Sequence, residues 1–163
     1  MPKFNTNNYA MNIPDHRAST SKTSIVQTIF RILLGCILVY TGISHLTFSR
    51  IEFLAQVPRW VTLNGDLVVI LSGIVEIILG ISLVFLSKRR VAAGWLAALF
   101  FMLVFPGNIS QYVNKVDGFG LNTDTLRFIR LFFQPVFILW ALWSTGAWTA
   151  WRKSIGKKKM EGN

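Results

Sequence analysis

Six polar residues stand at membrane depth within long apolar runs of the chain: Arg31, His45, Glu76, Asn108, Arg130 and Gln134. Glu76 is the most telling of them. It lies at the centre of Leu67–Leu86, a run long and apolar enough to cross a bilayer. An ionisable group at that depth costs at least ~2.5–3.5 kcal/mol, so it rarely faces lipid and marks a site or a buried pair. Arginine, asparagine and glutamine supply hydrogen-bond donors, and histidine and glutamate can take and return protons. Such a set suits a small polar head group held inside a hydrophobic envelope.

These residues must be positioned by helices. Four apolar runs, Ile25–Leu46, Leu67–Leu86, Val91–Tyr112 and Leu126–Trp148, each have the length of a membrane span. The turn Ser87-Lys88-Arg89-Arg90 predicts an antiparallel hairpin between the second and third. The expected fold is an all-α, integral membrane four-helix up-down bundle. Its domain covers residues 25–151, between an N-terminal tail (1–24), read as disordered, and a basic tail (152–163).

At 100° per residue, Arg31, Gly35, Gly42 and His45 fall within roughly an 80° arc of the first span. Gly73, Glu76 and Gly80 share one stripe of the second, and small residues at that spacing allow close helix approach. Gly94, Ala98, Phe101, Phe105, Asn108 and Tyr112 line one face of the third, where Pro106-Gly107 predicts a kink. Arg127, Arg130, Gln134 and Ala141 align on the fourth. Counting rise per residue places Arg130 ~5 Å, Gln134 ~10 Å and Glu76 ~15 Å below the outer boundary. The expectation is a cavity open toward the outer face and floored by an Arg31–Glu76 ion pair. The loop Thr47–Asp66, with Phe53, Val57, Pro58 and Trp60, is expected to fold over it as a lid.

The same residues admit purely structural roles. Arg31 could snorkel to the cytoplasmic interface. A Glu76 pair could fix helix register. His45 stands near a helix end and could be interfacial. Asn108 and Gln134 could bond helices together. Arg127 is expected to reach headgroups, and Trp140, Trp143, Trp148 and Trp151 to serve packing and an interfacial belt.

The net charge of +10 is unevenly spread. Lys3, Arg17 and Lys22, the Lys88–Arg90 turn, and Arg152, Lys153, Lys157, Lys158 and Lys159 fall on one side if the chain crosses four times. The positive-inside rule then places both termini and that turn in the cytoplasm. Anionic headgroups account for these clusters better than nucleic acid does. Cys36 is the single cysteine and His16 lies in the tail, so no disulfide, thiolate metal site or multi-histidine centre is expected. Thr41, Ser44 and Ser72 have no base at a sequence spacing that would make them nucleophiles.

At these positions the chain resembles the DoxX-like family of small four-helix membrane proteins. The resemblance is carried by RILLGCILVYTGISHL, VPRW at Val57–Trp60, SGIVEIILGISLVFL, FPGNIS and RLFFQPVFILWALW, over about Arg31 to Trp143. Gly107 stands where the family typically has alanine, and Phe132 where it often has proline. The resemblance implies a place among redox and thiol-stress membrane complexes, or among assembly factors. It also implies that Arg31, His45, Glu76, Asn108, Arg130 and Gln134 are the recurring polar positions.

The expected function is a non-catalytic membrane subunit that binds a quinone-like lipophilic molecule within a redox complex. A quinone needs donors for its carbonyl oxygens and a proton source, which Arg130, Asn108 and Gln134 and then His45 or Glu76 would supply. No electron carrier is intrinsic, so an oxidoreductase partner subunit is implied, and the short spans allow an oligomer. The alternative is a ligand-free scaffold or assembly factor. A proton-coupled transporter is weaker, since no inverted repeat is evident.

Overall fold

The computed structural model describes residues 23–161 and is helical throughout its regular elements. Four helices are long and apolar enough to span a membrane: α1 (Ile25–Leu46), α3 (Gly65–Phe85), α4 (Arg90–Val113) and α5 (Asp124–Ser144). A short α2 (Arg50–Leu54) lies in the first connection, a 3-10 turn (Ser87–Arg89) precedes α4, and α6 (Ala147–Glu161) closes the chain.

Sequence signals set the helix ends. Ser24 and Gln27 form a reciprocal capping box at the start of α1, with Gln27 N donating to Ser24 Oγ (3.1 Å) and Ser24 N to Gln27 Oε1 (2.9 Å). Asn64 caps α3 and Thr123 caps α5 through their side-chain oxygens. The fourth span ends at Ser144 rather than Trp148, because Gly146 takes the left-handed conformation (φ 72°) that stops a helix. Beyond it α6 takes in the end of the expected span and residues 152–161 of the segment read from sequence as a basic tail. Both internal prolines are accommodated, with α4 and α5 helical on either side of Pro106 and Pro135. The tail expected for 1–24 lies outside the described residues save Thr23 and Ser24.

Large apolar side chains face outward. Ile29, Ile78, Leu103, Phe132 and Leu139 are exposed, while Arg31, His45, Glu76, Asn108, Gln111, Arg127 and Gln134 are buried. That inversion of the soluble pattern is what a lipid surround demands. The core is small-residue packing on Leu34, Leu38, Leu83, Ala97, Ala98 and Ala141.

Two seams organise the helices. Gly35 meets Gly80 and Gly42 meets Gly73, so the start of α1 lies against the end of α3. A Cβ added at Gly42 would stand 2.6 Å from the Gly73 carbonyl oxygen, and one at Gly80 2.5 Å from that of Gly35. Backbones this close leave room for nothing larger than glycine. On the other side, Phe101 of α4 stacks on Phe137 of α5 (5.4 Å), and Gly94 lies flush against Thr145. The α1–α3 and α4–α5 pairs join where Phe30 of α1 meets Trp140 and Trp143 of α5 edge-on (5.6 Å each). Trp140 Nε1 there donates to Phe30 O (3.0 Å), and Gln27 Nε2 to Trp143 O (2.8 Å). These clasps sit at the end that carries the chain termini. The other end, called the loop end below, carries residues 47–64 and 114–123.

Candidate functional site

The glycine seam decides which polar groups meet. His45 follows Gly42 by one turn and Ser72 precedes Gly73, so the two side chains face each other across α1 and α3. His45 Nδ1 stands 2.9 Å from Ser72 Oγ and 3.4 Å from Val69 O. His45 Nε2 points the other way, 3.6 Å from Glu76 Oε2. Phe53 of α2 covers the imidazole, ring centroids 3.4 Å apart. Glu76 is 8% exposed, and its Oε2 has no hydrogen-bond partner. A buried carboxylate oxygen left in that state requires an explanation.

The opposite wall comes from α4 and α5. Asn108 is buried on α4. Gln134 donates from Nε2 to Phe101 O (3.0 Å), which leaves its carbonyl oxygen available. The Arg130 guanidinium lies 4.9 Å above the Phe119 ring, a cation–π contact. Phe119 holds that position with φ 56°, a region non-glycine residues rarely adopt, and it also packs edge-on against Phe53 (4.5 Å). Strain of this kind persists where surrounding structure over-determines it, and it clusters at functional sites. Ion pairs pin both flanking loops. Arg50 forms a bidentate pair with Asp66, which raises the guanidinium above its ordinary value. Arg127 reaches Asp117 and Asp124.

Between the walls lies a cavity of about 180 Å³, lined by His45, Glu76, Asn108, Arg130 and Gln134 together with Thr41, Gln56, Phe53, Phe101 and Phe133. A shallow apolar groove of Phe119, Leu121, Leu126 and Ile129 adjoins it, sharing Thr41, Phe53, Arg130 and Phe133. That groove opens between α1 and α5 at the loop end, away from the Trp140 clasp. A second cavity of about 170 Å³ lies behind His45, walled by Ser72, Trp60, Pro58, Leu103, Pro106 and Gly107. His45, Phe53, Gln56 and Val104 form the partition between the two.

Five of the six polar residues expected at the site thus share one cavity, and Arg31 does not. It donates to Leu83 O and to Ser87 Oγ (3.3 Å), and makes no pair with Glu76. The seam explains the correction. With Gly35 on Gly80 and Gly42 on Gly73, Glu76 is level with Val39, eight residues or ~12 Å of helix rise from Arg31. Arg127 is also relocated: it is 6% exposed and ion-paired to a loop, instead of reaching headgroups. Ser72, for which the sequence offers no base, has His45 at hydrogen-bond distance. Sequence reading also missed Thr41, Gln56 and Phe119. Thr41 stands one turn from His45 on the same helix and was recoverable by periodicity. The loop residues carry no periodic signal.

Among the described residues, no three His, Cys, Asp or Glu side chains lie close enough to hold a metal ion. The model of a family described as "Domain of unknown function (DUF8561)" matches residues 34–145, a stretch that contains every residue of both cavities. No curated protein and no solved structure matches the chain.

Proposed function

From the premise that the chain belongs to that DUF8561 family, we propose a non-catalytic membrane subunit that holds the head group of a quinone-like lipophilic molecule within a redox complex. The observation that carries this reading is the division of the cavity. Donors Arg130 and Asn108 stand on α4 and α5, and the acid–base pair His45–Glu76 stands on α1 and α3. A ring held between them would meet donors on one edge and proton-exchanging groups on the other.

Size and access support it. A cavity of ~150 Å³ is known to hold a benzene ring, so about 180 Å³ suits one substituted ring and not a whole lipid. The tail would lie in the apolar groove between α1 and α5, which opens to the side where lipid would be. Unpartnered Glu76 Oε2 and Gln56 Nε2 are the polar atoms such a head group would satisfy. Once bound, a quinone supplies two-electron, two-proton redox chemistry. Arg130 and Asn108 would orient carbonyl oxygens, Glu76 and His45 would hold or pass protons, and Phe53 would exclude water. The electrons come from a partner subunit bearing flavin, haem or an iron–sulfur cluster.

In this reading the four spans form an up-down bundle in a bacterial cytoplasmic membrane. Exposed Lys88 and Arg89 and the basic α6 share the terminal end, and this clustering of positive charge supports a cytoplasmic position for both termini. The loop end then faces outward, and the kinship to DoxX-like proteins belongs to the same proposal. A scaffold or assembly factor is the second reading. It is favoured by Ile51, Trp60 and Leu63, which expose apolar surface on the loop where a partner could dock.

Mass spectrometry of lipids and quinones co-purifying with detergent-extracted protein separates the two. Stoichiometric quinone, lost in folded Glu76→Gln and Arg130→Leu variants, supports the first. No enriched small molecule, with both variants failing to enter a larger complex, supports the scaffold.

A further inference from the structure

Ser72, His45 and Glu76 stand in line across the partition between the two cavities. Ser72 faces the second cavity, His45 is the partition, and Glu76 faces the first. We infer that Ser72 is the nucleophile of an acyl-transfer site in the second cavity, with His45 as its base and Glu76 as the group that orients the base. The inference does not rest on the quinone reading and departs from it in one respect: it gives the chain a catalytic activity of its own, in a separate cavity.

Geometry carries the argument. Ser72 Oγ is equidistant, at 2.9 Å, from His45 Nδ1 and from Val69 O one turn earlier. Rotation about the Cβ–Oγ bond alone therefore moves the hydroxyl proton from the carbonyl to the imidazole, with no heavy atom displaced. On the far side of the ring, Glu76 Oε2 lacks any hydrogen-bond partner. His45 Nε2, 3.6 Å away, is the donor that a small closure would give it. A proton on Nε2 leaves Nδ1 bare toward Ser72, the tautomer a general base requires. Phe53 lies against the ring at a 39° tilt and limits its rotation. Gln56 Nε2, buried and without a hydrogen-bond partner, lines the same cavity and is the available donor for a developing oxyanion. Nucleophile, base, orienting carboxylate and oxyanion donor are the four parts that acyl-transfer chemistry needs.

The walls specify the substrate class. Trp60, Pro58, Leu103 and Pro106 are apolar, so the fit is an ester or thioester of a fatty acyl chain reaching the cavity from the bilayer between α3 and α4. Ser72 Oγ would bond to the acyl carbon while its proton passes to His45 Nδ1. The same proton would then go to the departing alcohol or thiol. Water activated by His45 would release the acid and restore the hydroxyl.

The test uses the full chain in detergent with a long-alkyl fluorophosphonate, whose phosphorus takes the place of the acyl carbon and loses fluoride. Peptide mass spectrometry is expected to find one adduct, on Ser72, absent from Ser72→Ala. Labelling is expected to slow roughly 100-fold in His45→Gln, as loss of a general base predicts. Glu76→Gln, which keeps the side-chain shape, covers the case of a His45 variant that fails to fold and is expected to slow labelling as well. No adduct on Ser72 of folded protein overturns the inference, and so does labelling indifferent to both His45 and Glu76. Quinone content of the same preparations reports on the other cavity, so either reading can fail alone.

Discussion

Gly107 of α4 and Gln56 of the first connection meet backbone to backbone: a Cβ at position 107 would stand 2.8 Å from the Gln56 carbonyl oxygen. This contact seats the connection on α4 and places the Gln56 side chain in the partition between the cavities. Gly107→Ala is expected to cost about 1 kcal/mol by overpacking, a drop of ~2–4 °C in Tm. Limited proteolysis within residues 55–64 should quicken in parallel. A variant as stable and as resistant as the wild type would show that the contact relaxes freely.

The α1–α3 seam should be far less forgiving. Gly42→Leu adds a side chain where a Cβ alone already falls within 2.6 Å of backbone. No rotamer relieves such a clash, so the helices must separate, at a cost of ~3 kcal/mol or more. Size-exclusion profiles after heating should show loss of the folded monomodal species. Leu96→Ala on the exposed face of α4 serves as the control and should leave the profile unchanged.

Arg127 offers an asymmetric test. Its guanidinium is buried, while partners Asp117 and Asp124 have side chains 74% and 55% exposed. Removing the arginine leaves two solvated carboxylates, so Arg127→Leu should cost no more than ~1 kcal/mol. The double variant Asp117→Asn, Asp124→Asn strands a buried charge, and ~3–5 kcal/mol is expected. Thermal unfolding of the two variants side by side checks the order, and equal costs would contradict the burial of Arg127.

Phe53 shields His45 and contributes to both cavities. Phe53→Ala should merge them and admit water to the imidazole. Modification of His45 by diethyl pyrocarbonate, resolved from His16 by peptide mass, is expected to rise up to about tenfold. That corresponds to loss of an aromatic contact worth ~0.5–1.5 kcal/mol. Unchanged reactivity would mean that another residue closes the site.

Much of the architecture was legible because membrane physics writes it in periodicity. The first span emerges with the boundaries expected of it, and the second and third shift by one or two residues. Glycine stripes marked the packed faces. What hydropathy does not encode is axial register between helices, since every level of an apolar face is equivalent to it. The Arg31–Glu76 pairing failed on that point, and the Ser72–His45 contact escaped notice for the same reason. Depth counting from span ends carries an error of a few residues, whereas two glycine contacts fix register to a single one. Fourth-span length was misjudged because Gly146 interrupts a run that remains apolar beyond it.

The two seams divide the chemistry as well as the fold. Ser72, His45 and Glu76 all ride on α1 and α3, locked at fixed separation by glycines in backbone contact. Asn108, Arg130 and Gln134 all ride on α4 and α5. The jaws are clasped at both ends, by Phe30 on Trp140 at the terminal end and by Gln56 on Gly107 and Phe53 on Phe119 at the loop end. The site is therefore framed top and bottom, with its acid–base groups on one jaw and its amide and guanidinium donors on the other.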